Sequence, residues 1–212
     1  MGGRNGGGDQ EGGAVIILSD GHDEIFTGAK NKTKYPDLKE HFEIIKINDL
    51  VEKRLKDGAI DVMRLNADSL DPVRLAGHTG GLPNSLVWKV KTINALCDKG
   101  KVGAIFETHL NAMPSANTGR GHEVIYAPGS AKGKILAEEL DKTLDKYWPT
   151  KDRNVKTEEQ LYLLNKTRAP AVIIEPFFID SDLDVEIYLA KMDMLVIALA
   201  EGIVCGMNRL GI

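Results

Sequence analysis

Two histidines and two glutamates sit where apolar runs of this sequence break off. His22 follows AVIIL (14–18) and the polar stop Ser19-Asp20-Gly21, and His109 follows the apolar lead-in VGAIF (102–106) and Glu107-Thr108. Glu175 closes AVII (171–174), and Glu40 stands near the opening of an amphipathic stretch. Imidazole and carboxylate are good zinc ligands, and a catalytic zinc held by two His and one Glu keeps a coordination position open. Such a metal lowers the pKa of water toward ~7, and a fourth group that is not a ligand can then move protons. Bare burial of four such groups at one edge of a fold would be costly, and a divalent cation removes that cost.

Each residue also has a plainer reading. His22 could be a loop histidine, and His109 a core histidine satisfied by backbone. A glutamate in a first helical turn favours the helix dipole, which would account for Glu40, and Glu43 one turn on competes with it. Glu175 lies between Val172-Ile173-Ile174 and Pro176-Phe177-Phe178, where solvated surface does not explain a carboxylate. His41, His78 and His122 are expected on the surface or in loops.

The elements that must position these groups follow from periodicity. Short, wholly apolar runs at 14–18, 102–106 and 171–174 read as strands buried on both faces, with further strands at 59–63 and 122–126. Helical spacing predicts helices over 38–56, where Phe42, Ile45, Leu50 and Leu55 would form the apolar face, and over 86–97, 131–147 and 183–207. A short helix is expected at 161–167, and the Gly/Pro-rich stretch 76–83 reads as a loop. Strands alternating with helices predict an α/β fold: a three-layer sandwich with a twisted, largely parallel mixed sheet flanked by helices. In such sheets active sites form beyond the carboxyl ends of the strands, where His22, His109 and Glu175 all fall.

Composition sets the remaining bounds. A 42% hydrophobic and 27% charged chain of 212 residues suits one globular domain, expected over 14–212 after a disordered Gly-rich leader at 1–13. A net charge of −4 and a pI near 5.8 give no electrostatic footprint for nucleic acid, and Lys30-Asn31-Lys32-Thr33-Lys34 reads as a solvated turn. The leader lacks the apolar segment of a secretory signal, and no apolar run is long enough to insert in a membrane. Cys97 and Cys205 lie in helical patterns and read as reduced core residues.

Taken in order, these blocks resemble the zinc-dependent N-acetylmuramoyl-L-alanine amidases, the group that includes spore-wall amidases and phage endolysins. That family's Asp-Pro-Gly-His is similar to Ser19-Asp20-Gly21-His22, and its Ser-Ile-His-Ala-Asn-Ala to Glu107-Thr108-His109-Leu110-Asn111-Ala112. Its helix-opening Glu is matched by Glu40, its Gly-x-Glu-Val strand by Gly121-His122-Glu123-Val124, and its Pro-Ala-Val-Leu-x-Glu-x-Gly-Phe by the segment from Pro170 to Phe178. The sequence departs from the pattern at Glu107 and Thr108, at Phe177 in place of Gly, and around Lys89, where the family carries an Arg.

The resemblance implies a Zn2+ cofactor held by His22, Glu40 and His109, with Glu175 as catalytic acid/base. The implied substrate is peptidoglycan, cut between N-acetylmuramic acid and L-alanine. The expected setting is a monomeric phage lysis enzyme, made in the cytoplasm and reaching the cell wall after release. Two alternatives stand beside it. A zinc carboxypeptidase or deacylase on an α/β sheet would place ligands as His-x-x-Glu, a spacing no histidine here has. A catalytically inactive wall-binding module would not need all four groups.

Overall fold

A computed structural model describes residues 14–69 and 77–212; the Gly-rich leader lies outside the described residues. Its centre is a six-stranded sheet in the order β2-β1-β5-β8-β6-β7. The strands are β1 (Val15–Asp20), β2 (Val62–Leu65), β5 (Val102–Thr108), β6 (His122–Tyr126), β7 (Asp152–Thr157) and β8 (Ala171–Glu175). All neighbours run parallel except β6 and β8. The helices are α1 (Glu40–Asp57), α2 (Asn84–Cys97), α3 (Ala131–Tyr147), α4 (Tyr162–Lys166) and α5 (Asp182–Leu210).

Because successive strand side chains point to opposite faces, the apolar runs feed two cores. Ile16, Leu18, Phe106, Val172 and Ile174 pack with α1, α3 and α5. Ile17, Ile105 and Ile173 pack on the other face with Val90 and Ile93 of α2 and Leu163 and Leu164 of α4. The expected three-layer sandwich is what forms.

Several boundaries differ from the sequence reading, each for a local reason. The strand expected at 59–63 begins only at Val62, because Ala59 takes a left-handed φ of 59° and its N–H closes the end of α1. The inner face of α1 is Ile44, Ile47, Val51 and Leu55, whereas Phe42 and Leu50 face solvent. The apolar count misled there because the buried stripe also carries His41, Glu43 and Asn48, each with a polar partner. β7 was not foreseen: DRNVKT has no apolar run, and an edge strand paired only to β6 does not require one. The expected loop over 76–83 contains a small hairpin, β3 (His78–Thr79) with β4 (Leu82–Pro83), and Ala76 lies outside the described residues. Cys97 and Cys205 are free and half-buried rather than core residues. Among the described residues no helix is long and apolar enough to cross a membrane.

Candidate metal centre and active site

Sheet register brings the chemical groups together. Asp20 pairs with Thr108 and Thr108 with Ile174, so the chain leaves β1, β5 and β8 at one level, and His22, His109 and Glu175 follow within two residues. On the next strand Glu123 is the register partner of Glu175. Glu40, the first residue of α1, faces the same edge. His22 Nε2 lies 3.1 Å and His109 Nδ1 3.2 Å from Glu40 Oε1, and the two rings meet edge-on with centroids 4.9 Å apart. Donor atoms of His22, Glu40 and His109 all lie within 4.8 Å of one another.

The positions of these groups are fixed by their outer partners. His22 Nδ1 donates to the Phe26 carbonyl at 3.0 Å, which turns Nε2 toward Glu40. Glu40 accepts from Leu110 N–H at 2.9 Å and Ala29 N–H at 2.7 Å. Burial raises the pKa of its carboxyl, but the two histidines outweigh that and hold it well below the carboxylate range. A Cβ on Gly21 would lie 2.5 Å from the His109 ring, so only glycine allows that ring its place. Gly28, at φ +72°, admits Glu40 and His22 in the same way.

Behind His109 stands a charge pair that the sequence reading did not assign. His109 Nε2 donates to Glu107 Oε1 at 3.2 Å; Glu107 Oε2 accepts from Lys89 Nζ and Ser19 Oγ, each at 2.7 Å. Lys89 also donates to the Asp20 carbonyl at 2.6 Å, and both Lys89 and Glu107 are buried. Two of the departures noted above are therefore one contact, Lys89 with Glu107. The available signal was a lysine on the apolar stripe of Val87, Val90 and Ile93, and a glutamate continuing the run AIF (104–106). Burial works against charging His109, but Glu107 and Glu40 push its pKa up to about 10. Burial likewise raises Glu107, but Lys89 and His109 hold it down to about 2.

Glu175 is different in kind. Its Oε2 is buried without a partner among the described residues, and burial pushes its pKa up to about 8; His109 opposes this, while Glu40 and Glu123 add to it. Trp148 Nε1 donates to the Pro176 carbonyl at 2.7 Å and fixes the chain just after it. Phe177, where the family pattern has Gly, stacks on Tyr188 at 4.7 Å, and the Tyr188 hydroxyl donates to Glu43 Oε2 at 2.8 Å. Glu43 is thereby turned into the core, and Glu40 is the carboxylate beside the histidines.

A cleft extends to both sides of His109. One part, about 580 Å3, is lined by His22, Phe26, Leu86 and Tyr162; the other, about 610 Å3, by Glu175, Glu123, Lys156 and Ile125. Burial raises the Glu123 pKa, but Arg153 and Lys156 outweigh it and lower it from its ordinary value. It also accepts from Asn111 Nδ2 at 3.0 Å. Of the remaining histidines, His78 is exposed as expected. His41 and His122 are buried, contrary to expectation: His41 Nε2 reaches Asp68 Oδ2 at 3.0 Å, and His122 points behind the sheet.

Residues 16–208 match the family model for N-acetylmuramoyl-L-alanine amidase, Amidase_3. The chain belongs to this amidase family. Structures of similar fold include the CwlD amidase of Clostridioides difficile in complex with the GerS lipoprotein (19% identity, TM-score 0.75, covering 93% of this chain and 100% of that one). The catalytic domain of the CD27L endolysin targeting Clostridia difficile is 22% identical, with TM-score 0.73 over 91% of this chain and 97% of that one. Among curated sequences, an uncharacterized 38.4 kDa protein of Clostridium perfringens is 40% identical over 79 residues, 37% of this chain but only 23% of that protein. The matched segment thus spans about a quarter of that relative's length. Within the amidase fold the donor set here suits zinc: two imidazole nitrogens and a carboxylate oxygen converge, with an orphaned carboxylate oxygen on Glu175 in the adjoining part of the cleft.

Proposed function

We propose that this protein is a zinc-dependent N-acetylmuramoyl-L-alanine amidase, hydrolysing the amide between N-acetylmuramic acid and L-alanine in peptidoglycan. His22, Glu40 and His109 would hold the zinc, and Glu175 is the catalytic acid/base. The observation that carries the reading is the convergence of His22 Nε2 and His109 Nδ1 on one oxygen of Glu40, at 3.1 and 3.2 Å. When bound, zinc supplies Lewis acidity: it polarises a carbonyl, lowers the pKa of water toward ~7, and adds positive charge beside Glu175.

The protein's own residues do the rest. Glu175 takes a proton from the attacking water through its unpartnered oxygen and passes it to the leaving amine nitrogen as the C–N bond breaks. Glu107, charged by its contact with Lys89, holds the His109 ring so that Nδ1 faces Glu40. The two-sided cleft suits a substrate that extends past the scissile bond in both directions.

The test is mass spectrometry of digested cell wall, with Clostridium perfringens wall a reasonable first substrate given the matched relative. Free stem peptides beside intact glycan strands are expected, and cleavage within the peptide or the glycan would refute the bond assignment. We extend the proposal to a lytic role, as a phage enzyme acting on the wall; added protein should clear a suspension of such walls.

A further inference from the structure

Behind the sheet, on the face away from the cleft, lies a second group of metal-ligating side chains. His122 opens β6, Asp152 opens β7, and Asp141 and Asp145 sit one turn apart on α3. Donor atoms of His122, Asp141 and Asp152 all lie within 4.8 Å of one another. His122 is 0% exposed, and among the described residues its Nε2 has no hydrogen-bond partner. The nearest carboxylate oxygens, on Asp145 and Asp152, stand 3.6 and 3.9 Å away, beyond hydrogen-bond reach. Asp141 Oδ1 is also buried and unpartnered.

The Thr150 hydroxyl can accept from the other ring nitrogen, and that tautomer frees Nε2 to bind a cation. His122 Nδ1 lies 3.0 Å from Thr150 Oγ1, and when Nδ1 donates there, Nε2 presents a lone pair to carboxylate oxygens that are themselves only acceptors. Asp145 and Asp152 keep part of their carboxylates in water, but His122 Nε2 and Asp141 Oδ1 are buried, and leaving such atoms unpaired is costly. Protonating the imidazole is disfavoured, because burial lowers the His122 pKa against the pull of Asp152, Asp145 and Asp184. The carboxylates repel one another too: burial, then Asp152 and Asp145, push Asp141 up to about 6. A cation between these groups satisfies all of them at once.

We propose that His122, Asp141 and Asp152 form a second divalent-cation site, separate from the cleft, with Asp145 as a further oxygen ligand. One imidazole with two or three carboxylates suits a first-row ion such as Zn2+ or Mn2+ better than Mg2+, which keeps an all-oxygen shell. The ion would tie the edge strand β7 and the end of α3 to β6, the strand that carries Glu123 beside Glu175.

The test is zinc content by elemental analysis after dialysis against Zn2+, with thermal melts in Zn2+ and in EDTA. The wild-type protein should hold two equivalents, Asp141→Asn/Asp152→Asn one, and His22→Ala/His109→Ala one. In EDTA the single variant Asp141→Asn should melt at or above the wild-type temperature, since it removes a half-buried carboxylate whose Oδ1 has no hydrogen-bond partner among the described residues. In Zn2+ it should melt several degrees below. One equivalent in the wild-type protein that disappears with His22→Ala/His109→Ala would overturn the second site and leave the amidase reading intact. One equivalent that disappears only with Asp141→Asn/Asp152→Asn would support the second site and sink the first. Should the double variants fail to fold, the reversal of order between Zn2+ and EDTA in Asp141→Asn decides alone: the same order in both excludes the site.

Discussion

The molecule has two clusters in which histidine meets carboxylates, one at the carboxyl ends of the central strands and one behind the sheet, and burial acts on them with opposite outcomes. In the cleft, His109 has carboxylate oxygens on both ring nitrogens at 3.2 Å, and its pKa is pushed up to about 10 in spite of burial. Behind the sheet, His122 has its nearest carboxylates at 3.6 and 3.9 Å, and burial wins, lowering its pKa. Hydrogen bonds to two buried carboxylates reverse the sign at His109, and the more exposed carboxylates beside His122 make none. What shortens the cleft contacts is a frame of outer partners: the Phe26 carbonyl on His22, backbone N–H groups on Glu40, and Lys89 on Glu107. Among the described residues the His122 side chain hydrogen-bonds to Thr150 alone.

The largest effect expected from breaking this comparison is at Glu175, the cleft carboxylate without a partner. Glu175→Gln should preserve the fold and zinc content yet lower the hydrolysis rate by ~10²–10⁴, the usual share of general acid–base catalysis. A variant with near wild-type turnover would remove Glu175 from the proton transfer.

Next in size is the frame itself. Glu107→Gln keeps the shape but gives up the charge that pairs with Lys89, so buried Lys89 loses its ion-pair partner. Loss of such outer-partner support costs ~10–100-fold in metal affinity. Competition for zinc against a chelator should show that weakening at the cleft site, with the equivalent retained by His22→Ala/His109→Ala untouched. Equal weakening at both sites would mean that the change acts through global stability instead.

The smallest effect is a pH dependence in metal-free protein. Glu175 is raised to about 8 from an ordinary 4.5, so its contribution to stability is full below about 4.5 and is lost as pH rises through 8. Metal-free Glu175→Gln should therefore gain on the wild type in melting temperature, by several degrees, between pH 5 and pH 9. A constant gap across that range would show that the carboxyl is not destabilised by burial.

Much of the architecture was legible before any coordinates. The runs at 102–106 and 171–174 are apolar throughout because strands covered on both faces exclude water from every side chain, and each became a central strand. Helix α3 follows its apolar spacing from Ala131 to Tyr147. Polar elements were illegible for the converse reason. β7 is held by backbone pairing that leaves no mark in side-chain hydrophobicity, and the inner face of α1 mixes Glu43 and Asn48 with Ile44 and Ile47, so a count of apolar residues chose the wrong side.

The sequence by itself placed His22, His109 and Glu175 at the carboxyl ends of strands, and so at one edge of any sheet in which those strands run parallel. It could not choose between Glu40 and Glu43, which differ by less than one helical turn. That choice came from the tertiary structure, where Tyr188 claims Glu43 and the rotation of α1 delivers Glu40 to both imidazoles. The pairing of Lys89 with Glu107 and the placing of His122 against Asp141 and Asp152 were likewise decided only by packing. Contacts between groups 18 to 30 residues apart depend on how helices seat on the sheet, and no local spacing encodes that.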